Sequence, residues 1–304
     1  MPYEAWGSLK GGDAHAQIDK ARFDEVKAAK TVCLFALELE EKLALLLDNF
    51  AEFELELLRL AEASLIWSER DLQGSMQQRL TLDRRLVNLL TSCRLYLDQT
   101  EHGMSGLFGN PSQQLDDVRK AKNELYDTYL GYRVMEALRN HVQHSGLPVH
   151  VINYQRIRRK GDGPDYWDFI VVPESEIRIL AENEKFKVPV LKELQKLGEK
   201  LDLRRSAREY VSCFIQLHEK LRETISGRLA TARSIYQDSI IEFSTFNGEE
   251  LQFPSLVKCN EDGTTNEKVA LVGDFLSYYD ALYKTNAVNK NLRQSAASNS
   301  DQKT

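Results

Sequence analysis

The chain has 304 residues, ordinary apolar and charged fractions, and a net charge of −6. That length supports a sizeable core in one large domain or two, and the acidic balance sets aside the basic excess of a dedicated duplex-DNA binder. Cys33, Cys93, Cys213 and Cys259 lie far apart with no CxxC, so they read as buried reduced thiols rather than a disulfide framework or a zinc site.

The opening residues, Met1 to Trp6, show neither a basic leader nor an apolar core, so no secretory signal is expected. No apolar run reaches the ~18 residues of a membrane span. The most apolar window, from Val32 to Leu47, is broken by Glu38, Glu40, Glu41 and Lys42. The cytoplasm is the expected location, with no membrane partner. Residues 1–30 are rich in Gly and charge, and are expected to be only partly ordered.

From Thr31 to Asp71 apolar residues recur at three and four, through Leu43, Leu46, Leu47 and Phe50 and on to Leu65. This spacing predicts one long helix, or two joined by a slight kink. A second helix is expected from Thr81 to Asp98, on the stripe Leu82, Leu86, Leu89, Leu90, Cys93 and Leu97. The breakers between His102 and Pro111 predict a loop. A third helix is expected from Ser112 to Ser145, stopped by Gly146 and Pro148. Three long amphipathic segments with short links predict an antiparallel bundle.

The pattern then changes. Residues 149–157 and 166–172 are β-branched and aromatic, and they flank the turn cluster at 160–164, which predicts a β-hairpin. A short helix near 190–200 and a long one over 204–235 follow. Short strands are expected at 239–246, 251–258 and 269–272. The Asn-, Ser- and Gln-rich tail over 285–304 reads as disordered. The fold class is therefore mainly α: a bundle of long helices with a β-hairpin insertion and a few short C-terminal strands, α+β overall. The expected organisation is an N-terminal segment 1–30, a bundle 31–146, a packing region 147–284 and the tail.

Charge is distributed unevenly. Residues 31–74 carry three Lys/Arg against ten Asp/Glu, whereas residues 119–160 carry nine against three. A local basic surface on an acidic protein follows from this. Within that basic stretch lies Arg139-Asn140-His141-Val142-Gln143-His144. It resembles the signature of the HEPN superfamily of small helical bundles, many of them metal-independent ribonucleases. That pattern is Arg, usually a polar residue such as Asn next, then His after four to six intervening residues. Arg139, Asn140 and His144 match it with four residues intervening, and the likeness extends over roughly residues 31–146.

The resemblance implies RNA as substrate, a homodimer in which two motifs share a cleft, and a toxin or defence role. His144 would be the base for the ribose 2′-hydroxyl, Arg139 the cation for the phosphate, and Asn140 a positioning amide. Base and cation are both protein groups, so no cofactor and no metal is called for. At ~100° per residue, Asn140 and His144 share a line along the helix, whereas Arg139 lies ~140° from His144. Arg133 does share that line. Either the helix unwinds toward Gly146, or Arg139 reaches a partner subunit, or Arg133 takes part of the phosphate role.

Arg156, Arg158, Arg159 and Lys160 follow the motif in the hairpin, with Tyr154, Tyr166 and Trp167 nearby. Cations with aromatics can grip a single strand, or simply keep an exposed edge soluble. His141 lies close to the apolar stripe, as a satisfied core histidine does. His141, His144 and His150 permit a metal by spacing, but no carboxylate accompanies them as in HExxH. The rival to a ribonuclease is a non-catalytic helical interaction protein. In that case His144 merely complements a helix dipole and Arg139 belongs to a solvated face.

Overall fold

The structure, a computed structural model, describes residues 2–9, 12–67, 71–159, 166–287 and 292. Strands β1 (Tyr3–Leu9) and β2 (Gly12–Ile18) lead into helix α1 (Lys20–Ile66). Then come α2 (Leu72–Phe108), α3 (Gln113–Thr128) and α4 (Leu130–His144). Strands β3 (Val151–Arg159) and β4 (Tyr166–Glu176) precede α5 (Ile177–Ala181), α6 (Val188–Leu197) and β5 (Lys200–Asp202). The long α7 (Leu203–Glu242) is followed by β6 (Thr245–Phe246), β7 (Glu249–Glu250), β8 (Gln252–Cys259), β9 (Thr265–Ala270) and α8 (Asp274–Asn286). The fold is mainly helical with a few antiparallel strands, as the periodicity predicts. No described helix is long and apolar enough to cross a membrane. The chain divides into two compact units, Met1–Glu41 with Leu221–Val288, and Lys42–Lys220.

The first unit holds a four-stranded antiparallel sheet in the order β2-β1-β8-β9. Its first two strands correct the expectation that residues 1–30 are only partly ordered. The inward-facing positions are Ala5, Gly7 and Ala14, residues too small to register as an apolar alternation. Small size is required there, since a Cβ on Gly7 would come within 2.9 Å of the Leu251 side chain. The sheet covers the start of α1, where Tyr3 meets the Phe23 ring at 5.1 Å. Residues 239–242, expected as strand, continue α7 as helix. Helix α8, absent from the expected elements, is pinned by a buried polar cluster. Arg222 binds both oxygens of Glu40 at 2.7 and 2.6 Å and lies 4.1 Å from the Tyr283 ring centroid. Asn286 Nδ2 donates to Glu40 Oε2 at 2.9 Å. Helix α8 thus takes in Thr285 and Asn286, which the expectation had placed in the tail, and of residues 285–304 only 285–287 and 292 are described.

The second unit is the bundle. Here α1, α2, α4 and α7 exchange polar contacts at their margins: Arg208 with Glu54 at 2.7 Å, Arg85 with Glu52, and Tyr210 with Glu136. Deep inside, the Tyr96 hydroxyl meets His218 Nδ1 at 2.8 Å. Two expectations are corrected. Residues 102–108 are the last turns of α2 rather than loop, because Met104 is fully buried there. Burying one large side chain outweighs the ~1 kcal/mol that each of Gly103 and Gly106 costs a helix. The single helix expected over 112–145 is two, divided at Tyr129, whose φ of −106° and ψ of 117° are extended.

Tertiary contacts satisfy the backbone groups freed at that break. Glu209 on α7 accepts the Gly131 N–H at 2.5 Å, acting as the N-cap that α4 lacks locally. Arg133 Nη1 donates to the carbonyls of Tyr126 at 2.9 Å and Asp127 at 2.6 Å, closing the end of α3. The expected hairpin is present as β3–β4, extended by β5.

Candidate functional site

The site built around the motif begins with α4. The helix is unbroken to His144, and its last turn closes normally, with Ser145 N–H donating to His141 O at 2.8 Å. The helix therefore does not unwind within the motif, and the ~140° between Arg139 and His144 stands. His144 is exposed, and its imidazole makes no hydrogen bond among the described residues. Asn140, one turn earlier, is half-buried, and its Oδ1 accepts from Arg139 Nη1 at 3.1 Å. Arg139 is half-buried as well. Within one chain the structure thus joins Arg139 to Asn140 and leaves His144 apart.

His141 is buried, as its place near the apolar stripe predicts. Its Nδ1 lies 3.0 Å from Asn183 Nδ2 and its ring meets Phe186 edge-on. Burial, with His150 nearby adding to it, pushes its pKa down and keeps it neutral. His150 is half-buried, accepts the Glu176 N–H on Nδ1 at 2.9 Å, and is also held down by burial. With both imidazoles engaged, no group of three or more His, Cys, Asp or Glu suited to a metal ion occurs among the described residues.

Arg133 has its guanidinium committed. Besides the two carbonyls of α3 it binds Glu193 Oε2 at 2.7 Å, and a phosphate would have to displace that carboxylate. On the hairpin, Arg156 and Arg158 fall two apart on β3 and so share a face. Both are exposed; Arg156 lies 5.5 Å from the Phe169 ring centroid. Tyr154, on the same face, donates its hydroxyl to Gln78 on α2, which seats this part of the hairpin on the bundle. Lys160 and the side chain of Arg159 lie outside the described residues, as do the side chains of Tyr166 and Trp167. On α2, Arg94 donates to Asp98 Oδ2 at 2.8 Å.

Sequence reasoning missed the group that fixes the end of the motif helix. Asp83 on α2 is fully buried, and its Oδ1 accepts the Val149 N–H at 2.8 Å. Arg79, one turn earlier, donates to the Val149 carbonyl at 3.0 Å and lies 3.5 Å from Asp83 Oδ2. The two side chains clamp both backbone polar groups of one residue, Val149, in the connector between α4 and β3. Ser175 donates to Pro148 O and His150 N–H to Glu174 O, so the connector is tied down from the other side too. Burial raises Asp83 to about 6 against the opposing pull of Val149 N–H and Arg79. A carboxylate beside Leu82 and Leu86 on an apolar stripe was the available signal. Comparison with protein-family models, with curated proteins and with solved structures finds no match to this chain.

Proposed function

We propose that this protein is a metal-independent ribonuclease of HEPN type whose base is His144. The observation that carries the reading is the contrast between two histidines on one helix. His141 is buried and hydrogen-bonded, whereas His144 stands exposed at the end of a helix whose following connector is clamped. A base must reach substrate, and a rigid mounting holds it there. Arg139 supplies the cation for the phosphate and Asn140 orients it. Because Arg139 and His144 diverge by ~140° on one helix, the working cleft combines Arg139 of one copy with His144 of another. Arg156 and Arg158 extend a basic face for the single strand.

The test is cleavage of a panel of single-stranded and structured RNAs, with circular dichroism as a check on folding. His144→Ala should lose ~10²-fold or more in rate with the fold intact, and Arg139→Ala should be crippled as well. EDTA should have no effect. Mixing the His144→Ala and Arg139→Ala chains should restore part of the activity, because one cleft in the mixed dimer would keep both groups. Failure of the wild type to cut any RNA, or full activity in His144→Ala, refutes the reading.

A second reading, a non-catalytic interaction protein, is favoured by the Arg139–Asn140 contact, which satisfies motif residues within one chain. A wild type that binds RNA or a protein partner without cleavage would select it.

A further inference from the structure

The start of β8 holds a strained aromatic residue that its own unit leaves bare. Trp6 pairs with Ser255 and Ser8 with Gln252, so Phe253 and Pro254 together oppose the single residue Gly7. This is a bulge, and a common form of it places its first residue in the left-handed conformation that glycine adopts freely. Here Phe253 occupies that position, with a φ of 55°. A Cβ disfavours this backbone, and the following proline restricts it further. The fold draws little packing from the ring in exchange, since Phe253 is 82 % exposed. Strain at a residue that is not buried points to a use for the side chain outside the core.

The surroundings are apolar at the centre and acidic at the rim. Leu271 N–H donates to Pro254 O at 2.8 Å, which sets Val272, just past β9, beside Phe253. Val272 is exposed, and so is Ile241 in the last turn of α7. Ser244 joins that helix end to β8, donating its N–H to Ile241 O and accepting the Leu251 N–H. Glu249 and Glu250 lie on β7, which leads into β8, and Asp274 opens α8 two residues after Val272. All three are exposed, and none of their carboxylates makes an ion pair or hydrogen bond among the described residues. Of the residues in this unit outside the described set only Lys10 is basic, one cation against three carboxylates.

We propose that this face docks a basic amphipathic helix of a partner protein, its apolar stripe on Phe253 and Val272 and its Lys or Arg side chains on Glu249, Glu250 and Asp274. Charge selects that occupant. A second copy of the same face brings the same carboxylates, and nucleic acid or an anionic bilayer brings phosphates, so each is repelled. A cationic helix neutralises the rim while its apolar stripe covers the aromatic centre.

The proposal is independent of RNA cleavage, so the two fail separately. The probe is a fluorescent synthetic helix with leucine at heptad a and d positions and lysine elsewhere, titrated with the full chain and followed by anisotropy. It should bind with a Kd of about 10 μM or tighter at low salt, and more weakly as salt rises. The same helix with glutamate in place of lysine should not bind. Phe253→Gly keeps every charge and should weaken binding by about 10-fold or more. The same variant should raise the melting temperature by about 2 °C, because glycine takes the left-handed backbone without strain. A residue that served only the fold would lower it. Glu249→Gln with Glu250→Gln should weaken binding by about 5-fold and flatten its salt dependence, with circular dichroism unchanged. Wild type that does not bind the basic helix, binding that Phe253→Gly leaves unchanged, or a Phe253→Gly chain that melts below wild type overturns the proposal. So does a wild type that floats with phosphatidylcholine–phosphatidylserine vesicles, or one whose oligomeric mass falls in Phe253→Gly, since either gives the face another occupant.

Discussion

At the scale of single residues, Asp83 couples the fold to pH. Its pKa in the fold, about 6, exceeds the ordinary 3.8 because burial disfavours the carboxylate. A raised folded pKa means that the group's contribution to stability is whole below about pH 4 and is lost as pH rises through about 6. A shift of about two units corresponds to ~3 kcal/mol. His141 and His150 act in the opposite sense. Their folded pKa values lie below the ordinary 6.5, so the stability they contribute is present above pH 6.5 and lost as pH falls through the folded values. Urea unfolding of wild type and Asp83→Asn separates the two effects. The stability of the variant relative to wild type should rise by ~2–3 kcal/mol between pH 4 and 7, and a flat difference would show that Asp83 does not titrate there. His141→Ala should cost ~1–3 kcal/mol through the lost Asn183 hydrogen bond and Phe186 contact, whereas His144→Ala should cost less than ~1 kcal/mol. The sequence made His141 legible as a core histidine through helical spacing alone. The Asp83 clamp was illegible because its partner, Val149, lies 66 residues away.

At the scale of elements, the α3–α4 break shows where local pattern stops and tertiary contact begins. The apolar stripe runs on through Tyr129 without a Pro, and Gly131 is the only local hint of interruption. The break is sustained by Glu209 and Arg133, one from a distant helix and one by folding back on α3. Helix-period patterns thus revealed the bundle, and β-branched runs the hairpin, but neither revealed this division, nor the strands whose inner faces are Ala and Gly. Gly131 packs directly on α7. A Cβ there would lie 2.9 Å from Glu209 Cβ and 3.1 Å from the Ser206 carbonyl. Gly131→Ala should therefore destabilise the protein by ~1–3 kcal/mol. Gly227 is the opposite case, since it lies inside α7 with nothing within 4 Å of its would-be Cβ. Gly227→Ala should stabilise by ~1 kcal/mol, because alanine loses less backbone entropy in a helix. Thermal melts of the two variants should move in opposite directions, and a gain in melting temperature for Gly131→Ala would discount the close approach.

At the scale of the molecule, α1 and α7 each run through both units, so each unit needs its own anchors to hold its part of the chain. In the first unit the Glu40–Arg222 pair, with Asn286 and Tyr283 around it, supplies one. Glu40 is visible in the sequence only as a charge interrupting an apolar window, and its partners are 182 and 246 residues away. A buried ion pair adds little net stability over apolar packing, but removing one partner strands the other charge and costs ~3 kcal/mol. Arg222→Ala should do this to Glu40, which is nearly inaccessible to solvent. The loss should appear first where the anchor acts. Amide exchange across α8, residues 274–286, should quicken by up to ~10²-fold, since ~3 kcal/mol of local opening free energy is removed. Exchange across α4, whose ends are held by Glu209 and the Asp83 clamp, should be unchanged. The paired variant Glu40→Met with Arg222→Leu should recover most of the loss, because it removes both charges and fills the space with apolar atoms. If α8 exchanged no faster in Arg222→Ala, its anchoring would have to come from the apolar contacts of Leu276 and Tyr279 instead. If the paired variant were no better than the single one, the geometry of the charged cluster, rather than the stranded carboxylate, would be what the fold requires.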